Sequence, residues 1–534
     1  MIVWTRLRRV LARPLVIALL LFVIVAAVAL RKALLFAADP VGEKDCPPVS
    51  PAGSGPARPD RPIPAPASLV WVQRGGTVND ASCLSRTAVY GVVAVREVDD
   101  VRAALQFARD NGLKVSVAGV RHSMGGQAFA RNALVLDMTR LNRMSLDARS
   151  ATLTVQSGAT WHAIQKFLHP RFAVLAMQST DIFTVGGSIA VNAHGMDHRS
   201  GSVRGSIRTM RVMLPDGTIV NVSRDENGEL FDLVVGGYGL FGVVLDADVD
   251  VVDNAIYQSD RRVLRYTDFP EVFRRDIDPD PRYALMYGHL STAPQSLLDE
   301  MLLYTYRGTE LSPDSVPPLT EVSSVKLRRV VFNLSKLGGP AMRLKWWAEK
   351  HLEPRLENCL VSRSQAQRTP EACFVSRNEP MHDSVQYLKN SLLGETDILH
   401  EYYVPRDRFV EFIDGLRTIV RRDRAVLLNA SVRIVHREAN LLTYAPSDMF
   451  AVVLYLNQTT DQAGNERMAA LTRDLIDLTI NVGGRFFLPY QLHYTADQLA
   501  RAYPEIGRFF QAKKRYDPDL LLTNTFYEKY ERGN

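Results

Sequence analysis

Cysteine is scarce, four residues in 534, and none sits in a CxxC pair or beside clustered histidines, so a structural zinc site has no support. An excess of one charge is also missing. The 64 basic residues stand against 58 acidic ones, and part of the net +6 falls in the first 32 positions, so nucleic acid is not implied as a partner. No internal repeat occurs, which excludes solenoids and arrays. With 46% apolar and 23% charged residues the body is of ordinary globular composition. Its length exceeds the ~250 to 300 residues one core can serve, so more than one folding unit is expected.

Long apolar runs are reduced to one. Pro14 to Leu30 carries no charge and, at 1.5 Å per residue, nearly spans the ~30 Å hydrocarbon layer. It reads as one N-terminal transmembrane helix. Arg6, Arg8, Arg9 and Arg13 precede it and only Arg31 and Lys32 follow closely, which predicts a single-pass membrane protein with its body on the periplasmic or extracytoplasmic side. A signal peptide cleaved near Ala27-Val28-Ala29 is the rival reading, and Arg8-Arg9-Val10-Leu11 loosely resembles a twin-arginine signal. All four cysteines lie beyond the run. Short loops favour Cys46 with Cys83 and Cys359 with Cys373, against unpaired buried thiols.

Residues 1–38 form this segment and 39–88 a Pro/Gly-rich linker and lead-in. From Val89 the texture is α+β, with a helix over Val98 to Asp110 and strands over Val115 to Ala118, Leu134 to Leu136 and Leu153 to Val155. Pro215-Asp216-Gly217 joins Met210–Leu214 to Thr218–Val222 as a hairpin, and Gly239 to Val252 reads as a long strand leaving the unit at about 255. Residues 256–487 have the alternation of a second, cap-like domain: helices over Phe409 to Arg421 and Arg467 to Asn481, and a strand over Phe450 to Leu456.

Three glycine-rich elements carry the chemistry. The first, Ala118-Gly119-Val120-Arg121-His122-Ser123-Met124-Gly125-Gly126-Gln127, directly follows a strand, where small residues let backbone amides approach an anion and Arg121 adds charge. It is not the GxGxxG fingerprint. The second runs from Ser179 to Gly195 and includes Thr180-Asp181, Thr184-Val185-Gly186-Gly187 and Asn192-Ala193-His194-Gly195. The third is Val234 to Val244. Two phosphate-type loops followed by a glycine-rich turn point to a dinucleotide.

In this order the elements resemble the vanillyl-alcohol oxidase type of FAD-binding oxidoreductase, also called the PCMH-type FAD domain. That resemblance implies a fold class: a two-part α+β FAD-binding domain over 89–255, an α+β cap or substrate domain over 256–487, and a segment over 488–534 that returns to the FAD domain. It also implies FAD as cofactor. In the family a Gly-His-Ser sequence links its histidine to the flavin 8α-methyl; His122-Ser123 matches, with Arg121 in place of the glycine. By the same resemblance Ala118, Gly119, Val120, Arg121, His122, Ser123, Gly126 and Gln127 hold FAD from the first loop. Thr180, Asp181, Thr184, Gly186, Gly187, Asn192, His194 and Gly195 do so from the second, and Gly242, Val243, Val244 and Asn524 from later segments. Thr180-Asp181 also looks like the pair of cytokinin dehydrogenases, whose Asp acts as base; the spacing to the glycines is two residues shorter here. Sugar-lactone and polyol oxidases carry a His-Trp-Gly/Ala-Lys motif and a Glu-x-Arg pair, where this chain has His493-Tyr494-Thr495-Ala496 and Ser431-Val432-Arg433.

The expected function is an FAD-dependent dehydrogenase or oxidase that removes a hydride from a CH–OH or CH–NH donor such as a sugar, polyol, lactone or amine. Oxygen, a quinone or another carrier would be the electron acceptor. His493 and Tyr494 are the first candidates for proton transfer, Arg433 for orienting substrate or stabilising the reduced flavin, and Asp181 for a base or a flavin liner. Tyr490 and Gln491 are pocket liners or core residues, and His162, His169 and His198 read as surface or satisfied histidines. Two alternatives stay open: a membrane-anchored sterol Δ24-type FAD reductase, and a membrane-tethered flavin-binding protein without turnover.

Overall fold

The computed structural model describes residues 20–32, 34–36, 68–311, 325–351, 373–382 and 394–531, with a few isolated positions besides. The first sheet is built from β1 (Trp71–Arg74), β2 (Gly91–Ala94), β3 (Val115–Ala118) and β4 (Leu134–Asp137), in the order β1-β2-β4-β3. β2 and β3 both run parallel to β4, and their nearly unbroken apolar sequences are buried on both faces. The crossover between β2 and β3 is α1 (Val98–Asp110), opened by a capping box between Glu97 and Asp100. Val101, Ala104, Leu105 and Ala108 recur at helical spacing and pack on Val93, Val115, Leu134 and Leu136.

The second sheet takes β5 (Met144–Asp147), β6 (Thr152–Gln156), β8 (Ile207–Met213), β9 (Ile219–Ser223) and β10 (Val243–Asp253), in the order β9-β8-β10-β6-β5, and β7 (Phe172–Val174) pairs with the far end of β10. Between these strands lie α2 (Trp161–Leu168), α3 (Val185–Val191) and α4 (Gly228–Val234). β8 and β9 form the expected hairpin through Pro215-Asp216-Gly217, with Gly217 at φ +90. β10 begins four residues later than Gly239, because Gly239 and Gly242 hold φ +72 and +155 and keep the chain in a turn. It is also the middle of its sheet, paired with β8 and β6, and only past Asp253 does the chain leave.

The third sheet has eight antiparallel strands: β11 (Ile256–Arg265), β12 (Tyr283–Leu290), β13 (Glu300–Gly308), β14 (Cys373–Ser376), β15 (Glu395–Pro405), β16 (Val426–Val435), β17 (Met449–Thr459) and β18 (Arg485–Phe486), in the order β14-β11-β13-β12-β16-β17-β15-β18. Helices α5 (Val325–Ser335) and α6 (Gly339–His351) fall between β13 and β14. α7 (Phe409–Arg422) and α8 (Gln462–Asn481) pack together on one face, α7 through Phe409, Phe412, Ile413 and Leu416.

After β18 come α9 (Ala496–Ala502), α10 (Ile506–Tyr516) and α11 (Thr525–Tyr530), and the chain returns to the first sheet. Val115 N donates to Leu521 O and Thr523 N to Val115 O, both at 2.8 Å. Asp517, in a buried ion pair with Lys513, accepts from Leu521 N and Leu522 N and fixes this return.

The N-terminal segment departs from its expected form. Among the described residues no helix is long and apolar enough to cross a membrane, which overturns the transmembrane helix and the single-pass localisation built on it. The unbroken helical stretch described there, residues 20–32, spans about 20 Å, and the residues before Ile17 lie outside the described set. Cys83 is disulfide-bonded, while Cys46 and Cys359 lie outside the described residues.

Candidate active site

The first glycine loop leaves the end of β3 at Ala118. A Cβ on Gly119 would collide with Thr184 Oγ1, so the first and second loops touch only because residue 119 has no side chain. Arg121 adopts φ +58, the left-handed conformation that a glycine would take freely, and its carbonyl accepts from Ala81 N at 3.0 Å. The ring of His122 stands edge-on to Phe183 of the second loop, centroids 4.9 Å apart.

The far half of this loop is braced by protein. Gly126 N donates to buried Asp80 at 2.9 Å, and Met124 N to Pro489 O at 2.9 Å. Gln127 Nε2 donates to Leu488 O and Tyr490 O at 2.8 and 2.9 Å. Gly126 and Gln127 therefore position the loop.

In the second loop Thr184 caps α3, accepting from Gly187 N, while Gly186 N donates to Ser157 O. Gly195 lies so close to the Gln178 backbone that any side chain would clash. Asp181 is buried with its Oδ2 2.8 Å from His162 Nδ1. The expected base is thus paired with a histidine that the sequence left without a partner. Asn192 ends α3 at φ +52.

Of the later candidates, Gly242 is a close-packed turn residue, buried Val243 starts β10, and Val244 beside it is half-buried. Asn524 donates to Tyr238 O at 2.8 Å and caps α11 through Tyr527 N. These side chains hold the fold around the loops.

His194 brings the second loop to the third sheet. Its Nε2 lies 2.7 Å from Glu401 Oε1 and 3.1 Å from Tyr403 OH, and its ring packs among Tyr403, Tyr444 and Phe487. Tyr490 OH donates to Glu401 Oε2 at 3.3 Å. Burial, reinforced by Glu401 and opposed by Arg433, keeps the Tyr490 hydroxyl well above its usual range, so it stays protonated. Strand alternation explains the grouping: Leu399, Glu401 and Tyr403 point to one face of β15, and His400 and Tyr402 to the face covered by α7 and α8. Across the ladders Glu401 lies in register with Val453 and Ser431, and Tyr403 with Ala451 and Arg433.

His493 belongs to the other group. It sits near His400, Arg473 and Lys529, and burial holds its imidazole at about 4, hence neutral. Tyr494 stacks on Tyr530, centroids 4.6 Å apart, and packs on Phe486. His493 and Tyr494 thus have neighbours different from those of the Glu401–Tyr490 pair, which lies near Arg433. Glu401 was missed although an acid inside the apolar strand over 395–405, alternating with Tyr403, was a visible signal.

Several buried polar atoms beside the loops lack a hydrogen-bond partner among the described residues: Thr180 Oγ1, Asn192 Nδ2, His194 Nδ1, Gln491 Oε1 and Arg433 Nε. Such groups are costly unless satisfied, and an acceptor-rich and donor-rich ligand would satisfy them. FAD, with its diphosphate and its isoalloxazine edge, fits this set and the side-chain-free arc at Gly119.

Residues 89–223 match the model of a family described as FAD binding domain. An uncharacterized oxidoreductase, ORF5 in the fasciation locus of Rhodococcoides fascians, is 31% identical over 40% of this chain and 53% of its own length. Decaprenylphosphoryl-beta-D-ribose oxidase of Mycolicibacterium smegmatis is 30% identical over 33% of this chain and 40% of its own. Cytokinin dehydrogenase 3 of Arabidopsis thaliana is 23% identical over 81% of this chain and 84% of its own. The first two matches thus span about half or less of those relatives. Residues 89–223 are thus an FAD-binding domain, and FAD is the cofactor.

Proposed function

We propose that the chain is a dehydrogenase or oxidase that removes a hydride from a CH–OH or CH–NH carbon of a small molecule, with FAD linked to His122. The observation that carries this reading is the contact line from Tyr490 OH through Glu401 to His194 Nε2, which joins the third sheet to the second glycine loop. The chemistry that FAD supplies when bound is acceptance of a hydride from the donor carbon and return of the electrons to oxygen, a quinone or another carrier.

The chain's residues supply the rest. Gly119 to Ser123 and Thr180 to Asn192 hold the cofactor through backbone and small side chains, with Arg121 adding charge at the diphosphate. Tyr490, half-buried and protonated, meets the donor hydroxyl or amine. As the substrate proton arrives on Tyr490 Oη, the phenolic proton moves to Glu401 Oε2, so no tyrosinate has to form. His194 Nε2 lies against the other carboxylate oxygen and holds it in place. Asp181 acts elsewhere, since its bond to His162 fixes the second loop beneath His122 and Phe183.

The test is anaerobic mixing of the purified flavoprotein with a panel of small alcohols, sugars, lactones and amines. Bleaching of the flavin band by at least one member, slowed in Glu401→Gln, supports the reading. Absence of bleaching across the panel contradicts it.

A further inference from the structure

We propose that Arg433 anchors an acidic group of the substrate, so that the donor is an anionic small molecule carrying a carboxylate or phosphate. The inference rests on the oxidoreductase reading above and concerns which donors that site selects.

Arg433 stands on β16 on the face that α7 and α8 leave uncovered, in register through Ala451 with Tyr403. Ser431, two residues earlier, lies opposite Val453 and Glu401 on one side and opposite His289 on the other. Tyr287, two residues from His289, stacks on Tyr304 with centroids 4.6 Å apart. Arg433 therefore sits between the Glu401–Tyr490 pair and an aromatic wall, and its charge is felt at the Tyr490 hydroxyl.

Other arginines on this sheet and at its border have a carboxylate or carbonyl partner, even Arg307 and Arg406, whose Nε atoms are also unmatched but which lie 3.9 Å from Asp280 and 3.7 Å from Asp448. Arg261 donates to Glu349 O and Lys350 O, Arg265 pairs with Asp299, and Arg377 with Asp197. Arg433 makes no hydrogen bond or ion pair among the described residues, and its Nε is buried without a partner. A guanidinium in this position presents a planar fork suited to two oxygens of one oxyanion. Leaving its Nε desolvated and unmatched is unfavourable, and an acidic substituent placed beside the reacting carbon relieves it. Glu401 makes no ion pair with Arg433 among the described residues; its Oε1 lies 2.7 Å from His194 Nε2 and its Oε2 accepts from Tyr490 OH.

The test uses the holoprotein and three six-carbon probes: D-gluconate, sorbitol 6-phosphate and neutral sorbitol. Each is titrated against the flavin absorption band. At least one anion is expected to perturb the band at a concentration at least about tenfold below that needed for sorbitol, and Arg433→Gln should abolish that preference by weakening the anion far more than sorbitol. Arg433→Lys, which keeps the charge but not the fork, should retain part of it, and it stands in if the glutamine variant does not fold. The two anions separate carboxylate from phosphate recognition. Equal perturbation by sorbitol and both anions overturns the proposal, as does a loss in Arg433→Gln that weakens all three alike. A shift in flavin midpoint potential with the anion preference intact also overturns it, because Arg433 would then serve the flavin. A wild-type preparation without flavin would refute the cofactor assignment instead, an outcome distinct from any of these.

Discussion

His194 Nε2 lies 2.7 Å from Glu401 Oε1, and this contact ties the second glycine loop to β15, the next-to-last strand of the third sheet. One partner comes from the segment that follows α3 and the other from β15, more than 200 residues later. On the proposed function this contact makes a proton acceptor that forms only when both segments are folded together.

The first prediction concerns that acceptor. Glu401→Gln keeps the size of the side chain but removes the carboxylate that receives the Tyr490 proton. Flavin reduction by a bleaching donor should slow about a hundredfold or more, with flavin content unchanged. Rapid mixing under anaerobic conditions measures it, and an unaltered rate would remove Glu401 from the chemistry.

A second prediction tests loop contact. Gly119→Ala places a methyl against Thr184 Oγ1 and should lower flavin incorporation sharply. Gly119→Ala with Thr184→Ala removes the colliding oxygen and should recover part of it. Flavin-to-protein absorbance ratios decide the matter; equal loss in the single and double variants would show that the loops do not meet there.

Arg121 offers a third. A non-glycine residue at φ +58 carries backbone strain of about 1 kcal/mol. Arg121→Gly should raise stability against denaturant by about that amount, whereas Arg121→Ala, which retains the strain, should not. The reverse order would mean that the side chain's contacts outweigh the backbone strain.

The fourth is a pH dependence. Burial lowers His493 and His198 to about 4 and His400 to about 3, from an ordinary value of 6.5. All three are neutral in the folded protein, while the unfolded chain binds protons below about pH 6.5. Their contribution is complete above that pH and is lost as the pH falls towards about 4, on the order of 3 kcal/mol each. Thermal midpoints measured from pH 7.5 to 5 should fall steadily, and His400→Gln should flatten the slope. A flat profile would show that these imidazoles are not desolvated.

Much of this was legible in the sequence where local rules act. The helical pattern over Val98 to Asp110 marked α1 from end to end, Pro215-Asp216-Gly217 marked the hairpin, and the three glycine elements marked FAD. What could not be read was pairing at a distance. Whether His400 or Glu401 lies on the face away from α7 and α8 depends on which parity of β15 meets those helices, and a one-residue difference reverses the answer. Asp181 resembles the base of cytokinin dehydrogenases, and its contact with His162, nineteen positions upstream, has no motif to announce it. The apolar run at the N-terminus satisfied a hydropathy rule, yet no described helix is long and apolar enough to cross a membrane.

The central claim is that this chain holds FAD through His122. Purified protein precipitated with acid and washed should keep its yellow colour in the pellet, and His122→Ala should release the flavin to the supernatant. Flavin released from the unaltered protein under the same treatment would contradict the covalent link while leaving the FAD-binding fold in place.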